Sequence, residues 1–378
     1  MRMNFISNLA LQEISGGFSG MNAAAYEALT EIAEVHYVGP VNPPVGSAAR
    51  LISKLKRSAG QKGKFFFFSE ARLRRIAEEV NRRRRADVDF DFYHGFTPWI
   101  RCVPSVPYLT CSDCSFRDYL DIYHAGGSFK ESDVARICSA ENAWMRDANA
   151  VFFSSEWALL RTKAHYRLER ESLGNVSIFG ALDVPLRDTY TDSREFLFIS
   201  TDYARKNGPL CRQAMNQVWQ KFPEARLKII GAAPRAQDLT DSRVTYEGYF
   251  DKSKPQQLAA FTNHLSRAFA LVHPTSADIT PMIVIEAAFH GCPCITVSDF
   301  GLPEVTGNGT YALLQNRPVT ADTISRAMIE LLDDIDRYRS LRAKAREFTI
   351  GRFSRAAFKK RLQEAVLSCI ASVKEKRS

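Results

Sequence analysis

The chain has 378 residues, and at roughly 150 residues per domain this length predicts two domains rather than one. Its 45% hydrophobic and 25% charged residues are typical of a globular protein and exclude an intrinsically disordered chain. Eight cysteines in a chain of this length do not make a disulfide scaffold. No stretch predicts a membrane-spanning helix, and the first ten residues lack the features of a signal peptide, so we expect a cytoplasmic protein.

The net charge of +9 comes from one segment. Residues 50–85, which begin at Arg50 and end at Arg85, contain thirteen Lys or Arg and three Glu, so the rest of the chain is close to neutral. The segment also contains four consecutive phenylalanines at 65–68. Two interpretations are open: the segment binds an anionic membrane surface at the inner face of the cell membrane, or its charges are solvated and the phenylalanines pack in the core. No signature of an RNA-binding or helix-turn-helix protein is present, so we expect no nucleic-acid partner.

Short apolar runs alternate with patterns of helical period along the chain. In the first half, strands are predicted at 3–7, 35–39, 90–95, 106–111, 151–154 and 176–180, and helices at 21–33, 70–81 and 133–146. A polar, proline-containing stretch at 186–193 is interpreted as a linker. After it, strands are predicted at 196–200, 227–231, 244–248, 268–273 and 294–298, and helices at 210–221, 255–265 and 281–290.

This alternation predicts an α/β protein with parallel sheets covered by helices on both faces. Two such series indicate two Rossmann-like domains whose sheets face a central cleft, one over 1–187 and the other over 188–352. A further helix is predicted over 353–378, capped by Ser354 and with an apolar stripe at Phe358, Leu362, Val366 and Cys369. In such sheets, ligands bind at the carboxyl ends of the strands.

The most informative stretch is 273–293, with the sequence HPTSADITPMIVIEAAFHGCP. Thr280 is expected to cap a helix whose first residue is Pro281. The N–H groups of Met282 and Ile283 then have no partner within the helix, and together with the positive end of the helix dipole they suit a phosphate.

Two carboxylates lie in the same stretch. Glu286 is one turn into the predicted helix, and its carboxylate is placed to accept hydrogen bonds from ribose hydroxyls. Asp278 precedes the helix and is placed to bind hydroxyls beyond the phosphates.

An acidic residue, seven intervening residues and then Glu-Ala, followed by Gly-Cys-Pro and Gly-Leu-Pro-Glu, resembles the nucleotide-sugar site of the family 4 (group 1) retaining glycosyltransferases, which have the GT-B fold. Other motifs resemble this family in the same order. They are FLFIS at 196–200, RKNG at 205–208, LKIIG at 227–231, VTYEG at 244–248 and FGLPE at 300–304. RFSR at 352–355 resembles the family's last helix, which crosses back to the first domain. The first domain resembles the family through 15–17, 92–95 and 153–157.

The resemblance implies roles for residues of the second domain. Arg205 and Lys206 would hold the donor diphosphate and neutralise the leaving nucleotide. Asp278 would hold the donor sugar, although the family usually has Glu at this position, and Glu286 would hold the ribose. The remaining donor-binding residues implied are Gly231, Gly248, Tyr249, Met282 and Ile283.

The first domain departs from the family at its fourth strand. Ser112 stands where the family commonly has a histidine, so Asp113 is expected to be the carboxylate that orients a hydroxyl of the reacting sugar. His94 is expected on the acceptor side, with an ordinary strand-end histidine as the alternative. Gly16 and Gly17 are expected to let the donor approach the backbone.

A DxD pattern at 87–91, DVDFD, is typical of divalent-metal sites in the other large glycosyltransferase fold. We interpret it instead as acidic residues flanking a strand, because it leads into an apolar run of the first domain. The preferred fold implies metal-independent chemistry, with no metal and no cofactor.

The resemblance implies an enzyme of the EC 2.4 class that moves a sugar from a UDP- or GDP-sugar to a hydroxyl acceptor, with retention of configuration. The acceptor would be a glycan, a lipid-linked sugar or a small molecule in bacterial glycan, polysaccharide or glycolipid biosynthesis. Residues 1–187 would bind the acceptor and 188–352 the donor. Two alternatives remain: a nucleotide-sugar 2-epimerase of the same fold, and a non-catalytic subunit that binds nucleotide sugars.

Overall fold

A computed structural model of the protein describes residues 1–11, 18–58, 62–124, 127–168 and 173–375. These residues form two compact units. The first contains residues 1–11, Phe18–Ser177 and 358–375, and the second contains Ile178–Ala357. Among the described helices, none combines the length and the apolar character needed to pass through a lipid bilayer.

The first unit is built on a parallel sheet of six strands in the order β2-β1-β3-β4-β5-β6. The strands are β1 (Arg2–Ser7), β2 (Glu34–Val38), β3 (Phe90–His94), β4 (Tyr108–Ser112), β5 (Ala150–Phe153) and β6 (Leu173–Asn175). The helices are α1 (Phe18–Thr30), α2 (Ser47–Ser58), α3 (Glu70–Arg83), α4 (Phe116–Tyr123), α5 (Glu131–Asp147) and α6 (Glu156–Tyr166). Single 3₁₀ turns lie at Phe66–Phe68 and Thr97–Trp99.

The central strands of this sheet are buried along most of their length, as expected where helices cover both faces. The strand predicted at 176–180 is wrong. The edge strand is β6, and from Ile178 onward the chain packs within the second unit, where Gly180 N–H donates to the carbonyl oxygen of Phe353 at 2.9 Å.

The second unit has a parallel sheet of six strands in the order β12-β11-β10-β7-β8-β9. The strands are β7 (Glu195–Ser200), β8 (Arg226–Gly231), β9 (Val244–Tyr246), β10 (Ala270–His273), β11 (Cys294–Val297) and β12 (Ala312–Gln315). The helices are α7 (Gly208–Lys221), α8 (Pro255–Arg267), α9 (Met282–Phe289), α10 (Leu302–Val305), α11 (Ala321–Asp333) and α12 (Ile335–Phe353). A 3₁₀ turn lies at Ala236–Leu239.

The stretch at 186–193, interpreted as a linker, is tied to the second unit. Asp188 accepts hydrogen bonds from Arg342 Nε at 2.8 Å and from its second terminal nitrogen at 2.7 Å. Arg342 is buried and also donates to the carbonyl oxygens of Ala268 and His290. The division between the compact units therefore falls at 177–178, earlier in the chain than the boundary expected at 187–188.

The last helix, α13 (Arg355–Glu375), packs in the first unit. Ser354 Oγ accepts a hydrogen bond from Ala357 N–H at 3.3 Å and so caps the helix as predicted. Its buried stripe consists of Phe358, Leu362, Val366 and Ile370, whereas Cys369 is only half-buried. Lys359 Nζ joins this helix to α1 through Glu27, at 2.9 Å, and Glu31.

Candidate functional site

The candidate residues of the second unit lie at one edge of its sheet. All its paired strands run parallel, so their carboxyl ends share that edge. The chain passes outward from β7 through β8 and β9, then returns to β10 on the other side of β7. The ends of β7 and β10 are therefore the topological switch point, where ligands bind in open α/β sheets. Arg205 and Lys206 follow β7, and Asp278 follows β10.

Lys206 connects the two loops at the switch point. Its ammonium group forms an ion pair with the carboxylate of Asp278 and donates to the carbonyl oxygen of Ala277 at 2.5 Å. The backbones are joined as well, because Ser276 N–H donates to the carbonyl oxygen of Arg205 at 3.2 Å. These contacts hold a positive charge where the switch point predicts a ligand.

The Asp278 carboxylate has a second partner in His273, the last residue of β10. His273 is buried, and its Nε2 lies 3.2 Å from Asp278 Oδ2. Burial by itself raises the pKa of Asp278, but the hydrogen bond from His273 and the charge of Lys206 outweigh it, so the pKa lies below its ordinary value. The carboxylate is therefore ionised at neutral pH and keeps Lys206 in place. The resemblance implied that Asp278 holds the donor sugar, and the sequence pattern does not predict this contact with His273.

Arg205 has a different environment from Lys206, although the two were predicted to act as a pair. Its Nε lies 3.1 Å from Asp202 Oδ2, and its N–H donates to Asp202 Oδ1 at 3.0 Å. The side chain is half-exposed. In this structure Lys206 bridges the switch point, whereas Arg205 contacts a carboxylate of its own loop.

Helix α9 begins beside these loops, one residue later than predicted. Pro281 has an extended backbone (ψ 114°) and occupies the N-cap position, and Thr280 does not cap the helix. Within the described residues, the N–H groups of Met282 and Ile283 have no hydrogen-bond acceptor. The predicted helix start with free N–H groups is therefore present, with Pro281 rather than Thr280 as its cap.

Glu286 is buried in α9 and has two partners. Its Oε1 accepts a hydrogen bond from Ala181 N–H at 3.2 Å, and its Oε2 lies 3.0 Å from Lys252 Nζ. Lys252 also lies over the ring of Phe261, 4.9 Å from its centroid. A buried carboxylate needs such partners to remain charged. Lys252 could not be predicted from the sequence, because a single lysine in the loop after Gly248 forms no recognisable pattern.

Gly231 ends β8 beside the end of β7, and Gly248 follows β9. Gly231 has φ +106°, and a Cβ there would overlap the carbonyl oxygen of Ser200, so only glycine fits. Its N–H donates to the carbonyl oxygen of Gly248 at 2.8 Å. Tyr249 follows and is 69% exposed. The three residues predicted to lie beside the nucleotide base thus follow one another along one edge of the site.

The first unit brings two candidates to the corresponding edge of its own sheet, next to the switch point between β1 and β3. His94 ends β3, and its burial lowers its pKa to about 3, so it is neutral. Asp113 follows β4, and desolvation raises its pKa to about 6. Gly16 and Gly17 lie outside the described residues.

One group of the described residues could hold a metal ion by geometry: Asp118, Asp121 and His165. Arg161 already lies among them, with its Nε 2.9 Å from Asp118 and a terminal nitrogen 3.4 Å from Asp121. Its positive charge satisfies these carboxylates and opposes a second cation.

Asp87 and Asp89 of the DxD pattern precede β3, as interpreted, whereas Asp91 lies within the strand. Asp87 and Asp89 bond to Arg2 at the start of β1, and Asp91 accepts from Asn4 Nδ2 at 2.8 Å. Each is thus engaged in joining β1 and β3.

Comparison with known proteins points to one family. Residues 193–334 match the family model described as "Glycosyl transferases group 1". This segment contains both loops of the switch point and all of α9. No curated protein sequence matches the chain significantly.

Solved structures share the fold at low sequence identity. Sucrose-phosphate synthase from Thermosynechococcus elongatus superposes with a TM-score of 0.69 at 14% identity, over 98% of this chain and 100% of that one. WaaG, a glycosyltransferase involved in lipopolysaccharide biosynthesis, superposes with a TM-score of 0.65 at 12% identity, over 97% and 99%.

A mutant of S. aureus TarM, solved with fondaparinux, alpha-GlcNAc-glycerol and UDP, has a TM-score of 0.54 at 13% identity, over 73% of this chain and 55% of that one. The chain thus spans about half the length of TarM. The two parallel α/β sheets are those of the GT-B fold, and residues 193–334 match the model of the group 1 glycosyl transferases.

Proposed function

We propose that the chain is a glycosyltransferase that moves a sugar from a nucleotide diphosphate donor to a hydroxyl group of an acceptor. The observation that carries this proposal is the Lys206–Asp278 ion pair at the switch point, within the segment that matches the group 1 model. A diphosphate needs positive charge and N–H donors, and this edge offers a lysine together with the free N–H groups of Met282 and Ile283.

In the proposed complex the donor diphosphate lies between Lys206 and the start of α9. Glu286 accepts hydrogen bonds from the ribose, and Lys252 holds that carboxylate in place. The base lies along Gly231, Gly248 and Tyr249. The TarM structure contains UDP, which supports a UDP-sugar as the first donor to test and a GDP-sugar as the second.

The proposed reaction breaks the bond between the anomeric carbon and the diphosphate oxygen. Negative charge grows on the departing diphosphate, where Lys206 and the dipole of α9 stabilise it without a metal ion. Arg205 adds a second positive charge when it leaves Asp202 for the phosphates. The acceptor oxygen bonds to the anomeric carbon on the face that the diphosphate leaves, so configuration is retained. Its proton passes to a diphosphate oxygen, and no separate base is required.

The resemblance assigns the acceptor to the first unit, where Asp113 would orient a reacting hydroxyl and His94 would contribute a neutral ring. WaaG is involved in lipopolysaccharide biosynthesis, which supports a bacterial glycan or glycolipid as the acceptor class to test for this chain.

The experiment that tests this proposal is a thermal-shift screen with UDP-, GDP-, ADP- and dTDP-sugars in EDTA, followed by product analysis. We expect one donor to stabilise the chain and to transfer its sugar when acceptors are added, and NMR of the product to show a retained anomer. Conversion of the donor alone into an epimer would contradict the proposal in favour of a 2-epimerase. Stabilisation without any turnover would contradict it in favour of a binding subunit.

A further inference from the structure

Helix α2 turns apolar side chains toward solvent. Leu51, Ile52 and Leu55 are 58%, 54% and 59% exposed. Ser53 is buried, and its hydroxyl donates to the carbonyl oxygen of Lys64 at 2.7 Å. At 3.6 residues per turn, Leu51 and Leu55 lie on the helix face opposite Ser53. The apolar face therefore points outward, the reverse of an ordinary surface helix.

The segment beneath α2 is anchored in the first unit. Phe65 is buried, and its N–H donates to Asp133 Oδ2 at 2.7 Å. Its ring packs against Phe116 and Phe129, with centroids 5.0 and 4.8 Å away. Phe67, by contrast, is half-exposed. The phenylalanine run is therefore divided: the ring of Phe65 belongs to the core and that of Phe67 reaches the surface.

The two basic helices of this segment differ in their acidic residues: α3 contains glutamates and α2 contains no acidic residue. In α3, Arg74 and Arg83 form ion pairs with Glu70 and Glu79. Helix α2, by contrast, has four basic residues and no acidic one in its sequence SAARLISKLKRS. The helix therefore combines an exposed apolar face with four basic residues and no acidic residue in its own sequence.

We propose that α2 is a membrane-docking helix that lies in the plane of an anionic bilayer. Leu51, Ile52 and Leu55 enter the boundary between headgroups and acyl chains, and the basic residues bind lipid phosphates. A nucleic acid would be attracted by the charge but would gain nothing from three exposed aliphatic side chains. An ordinary protein partner would bury the apolar face without requiring the charge. An anionic bilayer uses both, and this docking does not depend on the proposed sugar transfer.

Co-sedimentation of the full chain with vesicles tests the proposal. We expect binding to phosphatidylcholine vesicles that contain about 30% phosphatidylglycerol, little binding to pure phosphatidylcholine, and weakening as salt rises. The triple variant Leu51→Ser, Ile52→Ser, Leu55→Ser should bind the mixed vesicles about tenfold more weakly or worse. Equal binding by wild type and triple variant, or no binding by wild type at low salt, would overturn the proposal.

A matched control separates docking from a general loss of apolar surface. Leu160 in α6 and Leu367 in α13 belong to the same unit and are 54% and 46% exposed. The double variant Leu160→Ser, Leu367→Ser should bind vesicles like wild type, and an equal loss in this control would overturn the assignment to α2. Thermal melts confirm that each variant folds. If light scattering shows a wild-type dimer that the α2 variant loses, while wild type ignores vesicles, the face binds a second copy and the membrane proposal is wrong.

Discussion

The ionisable groups at the carboxyl edges of the two sheets have different surroundings: ion pairs in the second unit and burial in the first. In the second unit each candidate carboxylate forms an ion pair with its own lysine, Asp278 with Lys206 and Glu286 with Lys252. In the first unit, burial keeps His94 neutral and raises the pKa of Asp113 to about 6. In our proposal, the edge of the second unit binds the charged diphosphate and the edge of the first unit binds hydroxyl groups of the acceptor.

The ion pairs bear on how the proposed diphosphate would bind. Removing the ionic partner of a buried charge costs several kcal/mol, so each lysine stays with its carboxylate while the site is empty. In the proposed complex a phosphate takes the place of Asp278 beside Lys206, and the hydrogen bond from His273 keeps Asp278 ionised. The diphosphate therefore adds negative charge to the site, which Lys206 and the positive end of the α9 dipole offset.

The largest effect is expected from Lys206→Ala, which removes the positive charge at the switch point. We expect kcat/KM for the donor to fall about 10²–10³-fold, since a group that stabilises developing negative charge is lost. Steady-state kinetics measure this. Lys254→Ala is the matched control, because Lys254 is exposed and its contact with Asp251 is long, at 3.7 Å. If the Lys206 variant has the kcat/KM of wild type, Lys206 does not bind the donor diphosphate, and the proposed difference between the two edges is wrong.

A second prediction concerns the raised pKa values of buried carboxyl groups in the first unit. Glu141 in α5 is buried and accepts hydrogen bonds from Thr97 Oγ1 at 2.5 Å, Phe116 N–H at 2.8 Å and Tyr166 OH at 2.6 Å. Burial nevertheless raises the pKa of Glu141 to about 7. The fold therefore favours the protonated acid, and the free energy of unfolding should fall by about 3 kcal/mol as pH rises from about 4.5 to 7.

Denaturant titrations at a series of pH values measure this slope. Glu141→Gln cannot titrate, so the difference in slope between wild type and variant isolates the contribution of Glu141. Parallel pH dependences in the two proteins would show that the fold does not raise the pKa of Glu141.

Lys252→Met should have a smaller effect. It leaves the buried carboxylate of Glu286 with Ala181 N–H as its remaining partner, so we expect a loss of about 1–3 kcal/mol in unfolding free energy and a roughly tenfold rise in donor KM. A kcat close to wild type would identify Lys252 as a positioning residue. The double variant Lys252→Met, Glu286→Gln should recover stability but not donor affinity, and Lys252→Arg should recover both in part. If the losses of stability from the two substitutions add in the double variant, Lys252 and Glu286 are not coupled as proposed.

Asp113→Asn is expected to change activity least. A neutral amide still orients a hydroxyl, so kcat near neutral pH should fall only about threefold to tenfold. The wild-type rate should decline below about pH 6, as Asp113 becomes protonated, and this decline should be absent from the variant. If both proteins show the same pH profile, Asp113 does not face the reacting sugar.

Most strands could be predicted from the sequence, because parallel strands that are buried on both faces consist of continuous apolar runs. β1, β3, β7 and β10 lie where these runs predict them, within one or two residues. The edge strand β6 was misplaced, since its three residues, Leu-Gly-Asn, carry no strand pattern and the apolar run that follows belongs to the second unit.

The site was only partly predictable, for a different reason. Motifs marked Lys206, Asp278 and Glu286, but motif spacing says nothing about which side chains contact one another. The partners that matter, His273 and Lys252, come from a strand end and from an unpatterned loop, and only the folded sheet brings them to the carboxylates. Thr280 was predicted as the N-cap, whereas Pro281 occupies that position. A Thr-Pro pair locates the start of a helix only to within one residue.

The central claim is that the edge between β7 and β10 binds a diphosphate through Lys206. Calorimetric titration of wild type and Lys206→Ala with the nucleoside diphosphate selected by the screen, and with its nucleoside alone, tests this directly. We expect wild type to prefer the diphosphate by about 100-fold and the variant to lose most of that preference while binding the nucleoside unchanged. An equal preference in both proteins would contradict the account.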